Sequence, residues 1–453
     1  MRKVSLLAAA VATALASGVA LADNADKNDG WEVHGYGSMN FRMVDGETVD
    51  TEFGRPDYKT AGTHGQSTNQ VEFTVKKHST YDNGAWADYV VRSEYGNGNS
   101  YAYTSSGSQK KNDEAQFEVK EAYVELGGLS FMGKDTSIWG GQRYLNRAAG
   151  LLSGEYWKQS SGVGAGLQTK LNGHTAGAAI VVADPDAGAD REKVEFENKT
   201  LDVIDNNGNK IGTVEAKQPS TSSDERTTLT SYDLYYYGVD VGIGSLDFDF
   251  KYMEQANKDS NSDDGFGAAI TLNSSYYGMD GWTQTAIAYG KGVAQNRGVN
   301  FGGWSGGDEN QESIFLTSYG VMNISDNWQM GSELTYFAAL DQLFGADDLK
   351  RYIAAVRPSY KVNENMRLET TLSYGHEEGA DGYWGRSGDA VESDIWNVEV
   401  AVPLTVNADF FGRPQIKPYI SYIKADDKAS GGQIGIDNSD DETVIGVHTE
   451  IWF

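Results

Sequence analysis

The chain ends in Thr443–Phe453, TVIGVHTEIWF. In an extended strand, side chains alternate between two faces. Thr443, Ile445, Val447, Thr449, Ile451 and Phe453 share one face, which is mostly apolar. Val444, Gly446, His448, Glu450 and Trp452 share the other, which is mostly polar yet ends in an indole. The pattern recurs. In Trp31–Met43, Trp31, Val33, Met39, Phe41 and Met43 oppose Glu32, His34, Tyr36, Ser38, Asn40 and Arg42. Leu246, Phe248, Phe250 and Tyr252 oppose Asp247, Asp249 and Lys251. Trp328, Met330, Leu334 and Tyr336 oppose Gln329, Glu333 and Thr335. Met366, Leu368, Leu372 and Tyr374 oppose Arg367, Glu369 and Thr371. Trp396, Val398, Val400, Val402 and Leu404 oppose Asn397 and Glu399. The apolar faces are often bounded by Trp, Tyr or Phe, as an interfacial aromatic girdle would be. The polar faces carry full charges of both signs.

Alternation alone also fits a soluble sandwich, so composition must arbitrate. Residues 1–22 read as a secretory signal peptide: Arg2 and Lys3, an apolar run from Val4 to Val19, and Ala20-Leu21-Ala22 before Asp23. The alternative is an uncleaved anchor; the polar DNADKNDG that follows fits cleavage better. Residues 23–453 then form one domain, since no proline-rich or serine-rich linker divides them and the chain has only 7 prolines. It has no cysteine despite export, so no disulfide framework exists. A formal net charge of −28 argues against nucleic acid as a partner, which needs a basic patch. Mean hydropathy is −0.51 and no later run reaches membrane-helix length. A membrane-spanning barrel remains open, because its strands need an apolar residue only at every second position. Short polar turns, Ser325–Asn327 and Val362–Asn365, alternate with long segments at Gly96–Gln116, Ala183–Arg226 and Gly292–Gln311, which fit the outside of the cell. Export, absent cysteine, 26 tyrosines and Phe453 at the end favour an all-β, transmembrane antiparallel β-barrel in the outer membrane of a Gram-negative bacterium. A secreted sandwich or solenoid is the alternative.

Several blocks carry a family resemblance. Ser137–Gln168 resembles the inward-folded third loop and flanking strands of the maltoporin family. His34–Ser38, HGYGS, is similar to that family's first strand, and Glu121–Glu125, EAYVE, to the strand before the third loop. Phe411–Pro414, FGRP, and Glu450–Phe453, EIWF, match its last strands. The resemblance implies a homotrimer of 18-stranded barrels with the third loop folded into the lumen; length alone would equally fit sixteen strands. It also implies that linear sugars pass along aromatic rings, guided by charged residues. The partners are then oligosaccharides, outer-membrane lipid and lipopolysaccharide, with no cofactor.

A pyranose has mildly apolar faces and hydroxyl-bearing edges. A flat ring in a wet lumen can stack on the face while ionised groups bond the edge. Each contact must stay modest for transport. On this reading Tyr36, Phe411 and Trp452 are track rings, with Phe411 placed inward by parity with Arg413, Gln415 and Lys417. Tyr156 matches the family's constricting tyrosine and Arg147 its third-loop arginine. Lys120 stands where the family has arginine, keeping the charge but losing the planar fork. The departures are Ser38 in place of arginine, Gly154 in place of aspartate with Glu155 adjacent, and Thr285 where a track phenylalanine is expected. Tyr101 or Tyr103 could replace the family's second-loop tryptophan. The shorter track points to a smaller, different or broader set of sugars than maltodextrins.

Catalytic readings are weak. Gly303–Gly307, GWSGG, spells G-x-S-x-G but lies in a glycine-rich loop without a helix pattern. Gly162–Gly166, GVGAG, reads as a turn. The six histidines show no metal-ligand spacing, and no Ser/His pair is evident on one wall. The competing function is a general diffusion porin that selects by size and charge.

Overall fold

In a computed structural model, the described residues are 29–48, 60–63, 69–96, 116–183, 193–204, 210–222, 227–257, 262–379, 391–433, 436 and 439–453. The expected signal peptide, and Tyr101 and Tyr103, lie outside them. Eighteen long strands form one closed antiparallel barrel. They are β1 (Gly30–Val44), β2 (Asn69–Thr80), β3 (Trp86–Gly96), β4 (Gln116–Gly127), β5 (Ser137–Ala149) and β6 (Tyr156–Leu171). Next come β7 (His174–Ala183), β8 (Thr227–Asp240), β9 (Gly244–Asn257), β10 (Ser262–Tyr276), β11 (Met279–Gly292) and β12 (Glu312–Asn323). The last are β13 (Trp328–Ala339), β14 (Lys350–Asn363), β15 (Met366–Gly379), β16 (Val391–Ala401), β17 (Gln415–Ala425) and β18 (Asp441–Trp452). β1 pairs with β2 on one side and β18 on the other, which closes the cylinder. Phe453 completes the seam: its carbonyl accepts from the Gly35 amide at 2.9 Å.

The burial pattern is inside out. Trp31 is 71% exposed and Leu334 58%, whereas Arg367 and Glu399 on the opposite parity are 1% exposed. Water cannot be the neighbour of a continuous apolar belt, and lipid can. The short connections fit their strands. Asn172-Gly173 and Tyr277-Gly278 take positive φ at both residues (54° and 85°; 47° and 87°), as a two-residue hairpin loop requires.

Among the described residues, three segments lie inside the barrel. The pairing of β5 with β4 ends at Gln142, and that of β6 with β7 begins at Val163. Between these points the β5–β6 hairpin loses its alternation: Arg143, Tyr144, Leu145 and Arg147, then Trp157 to Ser161, are all buried. Both faces meet protein because the hairpin has left the wall. Gly162 and Gly164 permit that departure, since a Cβ on either would strike the β7 backbone. Gly162–Gly166 is therefore strand rather than the expected turn. The connection between β11 and β12 is not an outer loop either. Val293, Ala294, Val299 and Phe301 are buried, and Asn300-Phe301 pairs in parallel with Gln159-Ser160, clamping the hairpin from inside. GWSGG lies in this clamp, with Ser305 Oγ accepting from the Gly302 amide at 3.1 Å. Third, Thr60–Thr63 lies against β1, β15 and β16. The segment read as a long loop from Ala183 contains a hairpin outside the barrel sheet, Lys193–Ile204 with Lys210–Ser222.

Candidate functional site

Tyr36 and Trp452 are register partners across the β1–β18 seam, half-buried on the lumen parity. The Arg413 guanidinium lies 5.0 Å from the Trp452 ring centre and donates to Glu450 Oε2 at 2.5 Å. Gln415 Nε2 donates to the same oxygen at 2.9 Å. A flat ring, a cation and an acceptor therefore share a few ångströms of wall. Beside them Ser38 Oγ and His448 Nε2 are 2.9 Å apart. Such a Ser/His pair was not evident in the sequence, because its members are 410 residues apart. Ser38 is 0% exposed.

Phe411 does not sit on a strand. β17 starts at Gln415, and Phe411 belongs to the connection before it, so parity does not explain its placement. Its ring faces the Trp282 ring at 6.3 Å with an interplanar angle of 29°, beside Phe410. These rings pack with Leu151 and Leu152 from the hairpin tip, Val321, Ala355 and Ala61. Thr285 does not occupy the inner wall. It faces outward with Ser318, the hydroxyls 2.7 Å apart, and Trp282 supplies the inward ring of β11. Trp282 shares parity with Gln284, so alternation in the sequence carries the signal for its face.

The hairpin tip is pinned to the far wall by Glu333 of β13. Its Oε2 accepts the Leu152 and Ser153 amides at 2.6 and 3.0 Å, and its Oε1 accepts the Ser153 hydroxyl at 2.5 Å. Gly150 makes room, since a Cβ there would strike Glu333 Oε1. Above the tip, the Arg147 guanidinium sits 4.5 Å from the Tyr144 ring and 4.2 Å from the Tyr156 ring. Glu155 does not meet it, because Glu155 pairs with Arg297 of the inner clamp. Arg147 and Glu155 thus belong to separate contacts. Lys120 is the extra residue of a bulge opposite Arg92 and Ser93, which turns both Lys120 and Glu121 inward. Lys120 pairs with Glu118, and with Glu94 at 3.6 Å.

Several other lumen charges are paired with opposite charges. Arg92 pairs with Glu72 and Glu121, Lys158 with Asp249 at 2.7 Å, and Lys251 with Asp233 at 2.5 Å. Lys417 lies 3.1 Å from Glu369 and 3.7 Å from Glu399. Desolvated charges persist only when paired and hydrogen-bonded. The result is a polar inner wall of fixed donors and acceptors, interrupted by rings.

The LamB porin family profile matches residues 31–453 of this sequence. The chain belongs to the LamB porin family. It is similar to a maltoporin from Vibrio cholerae serotype O1, 25% identical with 100% of both chains covered. It is also similar to maltoporin 1 of Klebsiella pneumoniae subsp. pneumoniae, 23% identical with 93% of each covered. Among solved structures, Acinetobacter baumannii OccAB4 superposes with a TM-score of 0.45 and 13% identity over 95% of this chain and 100% of that one. Salmonella typhi OmpF in complex with daunomycin gives 0.41 and 12%, over 93% and 98%. This LamB-family porin is an outer-membrane protein of a Gram-negative bacterium, a sugar or general diffusion channel.

Proposed function

We propose that this porin carries oligosaccharides by facilitated diffusion along an aromatic track. Tyr36 and Trp452 form its periplasmic end, with Phe411 and Trp282 beside them. Tyr156, Arg147, Lys120 and Glu155 form the constriction. The observation that carries this reading is the Tyr36–Trp452 register pair on the lumen face with Arg413 and Glu450 at its edge. A sugar face stacks on the rings while its hydroxyls meet the charged edge. The relatives' printed name, maltoporin, supports a sugar as cargo. The working form is a homotrimer embedded in lipid and lipopolysaccharide. Ser38 and Gly154 remove charge that the family's maltodextrin form carries, so the cargo is a smaller, different or broader set of sugars than maltodextrins. Liposome swelling with mono-, di- and trisaccharides tests the proposal. Rates that separate isomers of equal mass support it; rates ordered by size alone make this a general diffusion porin. Submillimolar maltohexaose block with long dwell times would overturn the cargo assignment.

A further inference from the structure

We propose a second sugar-hydroxyl site on the wall formed by Asn40, Ser373, Asn397 and Glu399, filled in this structure by the chain's own Thr60–Thr63 as a stand-in for substrate. The inference rests on the sugar-channel reading and extends it to a wall that carries no track ring.

Thr63 presents two adjacent donors to one carboxylate. Its amide donates to Glu399 Oε2 at 2.7 Å and its hydroxyl to Glu399 Oε1 at 2.5 Å. A vicinal diol offers a carboxylate the same pair of donors, in bonds strengthened by the charge. The rest of the segment completes the imitation. Asn397 Nδ2 donates to the Ala61 carbonyl at 2.7 Å, Asn40 Nδ2 donates to the Thr63 carbonyl at 2.7 Å, and the Ala61 amide donates to Ser373 Oγ at 2.8 Å. The Ser421 hydroxyl and Lys417 hold the carboxylate from behind. Glu399 and Asn397 are 1% exposed, and the segment is bonded to both.

The anchor is of an exchangeable kind. The hairpin tip is held by Leu151 and Leu152 as well as by Glu333, whereas within Thr60–Thr63 only Ala61 joins an apolar cluster. Most of the rest is hydrogen bonding, in which a sugar hydroxyl can replace each partner. The site is continuous with the track, since Asn40, Ser38 and Tyr36 share one face of β1. Sugar hydroxyls arriving from the rings displace the segment and take its bonds.

The chain lacks cysteine, so an engineered pair is the only thiol present. The full channel carrying Ala61→Cys and Ser373→Cys is reconstituted and tested with maltotriose, cellotriose and xylotriose. Closing the disulfide is expected to lower swelling by permeant trisaccharides several-fold, with recovery on reduction. Those sugars should also slow disulfide formation several-fold. Thr63→Val, which weakens the stand-in, should tighten sugar block; a merely structural threonine would not. If the reduced channel discriminates among trisaccharides while the tether changes neither flux nor oxidation rate, this inference is wrong and the track reading survives. If the wild type orders sugars by size alone, both fall.

Discussion

Trp452 lies on the polar face of the last strand. It shares the parity of Glu450 and His448, its register partner is Tyr36, and a guanidinium lies 5.0 Å from its ring. Substituting Trp452→Ala or Tyr36→Ala removes stacking area without touching a strand hydrogen bond. Each is expected to weaken sugar block of single-channel current roughly tenfold, a loss of about 1.4 kcal/mol, at similar ion conductance. Loss of folded trimer instead would make the rings structural. The face on which these two rings lie was legible in the sequence because strand parity assigns it from the alternation alone. Phe411 and Thr285 show where parity stops. Phe411 lies on a connection with no period, and its place follows from packing on Trp282. Thr285 has outward parity, which the family expectation overrode.

At the scale of elements, the strands were legible and the lumen furniture was not. Alternation marks a segment with lipid on one side and water on the other. The β5–β6 hairpin beyond Gln142 has protein on both sides, so its alternation vanishes, and only the family resemblance announced it. The β11–β12 connection is polar and glycine-rich, the usual signature of an outer loop, yet it folds inward and supplies Arg297 to Glu155. Nothing local encodes a partner so distant in sequence, and the same holds for Glu333. Substituting Glu333→Ala leaves the Leu152 and Ser153 amides without their acceptor. Current noise and mean conductance are expected to rise as the tip loosens, while the folded barrel persists. Unchanged noise would mean that Leu151 and Leu152 suffice as the anchor. Arg297→Ala strands the Glu155 carboxylate among protein groups. It should destabilise the constriction by about 3 kcal/mol, read as faster proteolysis of the hairpin.

For the whole molecule, stability depends on closure. Apolar side chains face lipid, and many of the charges inside are held by opposite charges. One seam, β1 with β18, joins the first strand to the last. Gly35 is bare there because the Phe453 ring lies where its Cβ would be. Gly35→Leu must displace that ring from the seam. The heat-resistant compact species on unheated gels is expected to diminish strongly relative to wild type; an undiminished band would show that the seam tolerates the extra volume. Overall architecture was readable because a barrel imposes one rule on every strand. The strand number was not, since the same length accommodates sixteen or eighteen.

The most direct test of the central claim is current block by trisaccharides through single wild-type channels, compared with the Tyr36→Ala and Trp452→Ala channels. Saturable block that differs among isomers in the wild type and weakens in both variants is the predicted result. Block that is absent, or indifferent to isomer and to both substitutions, would contradict it.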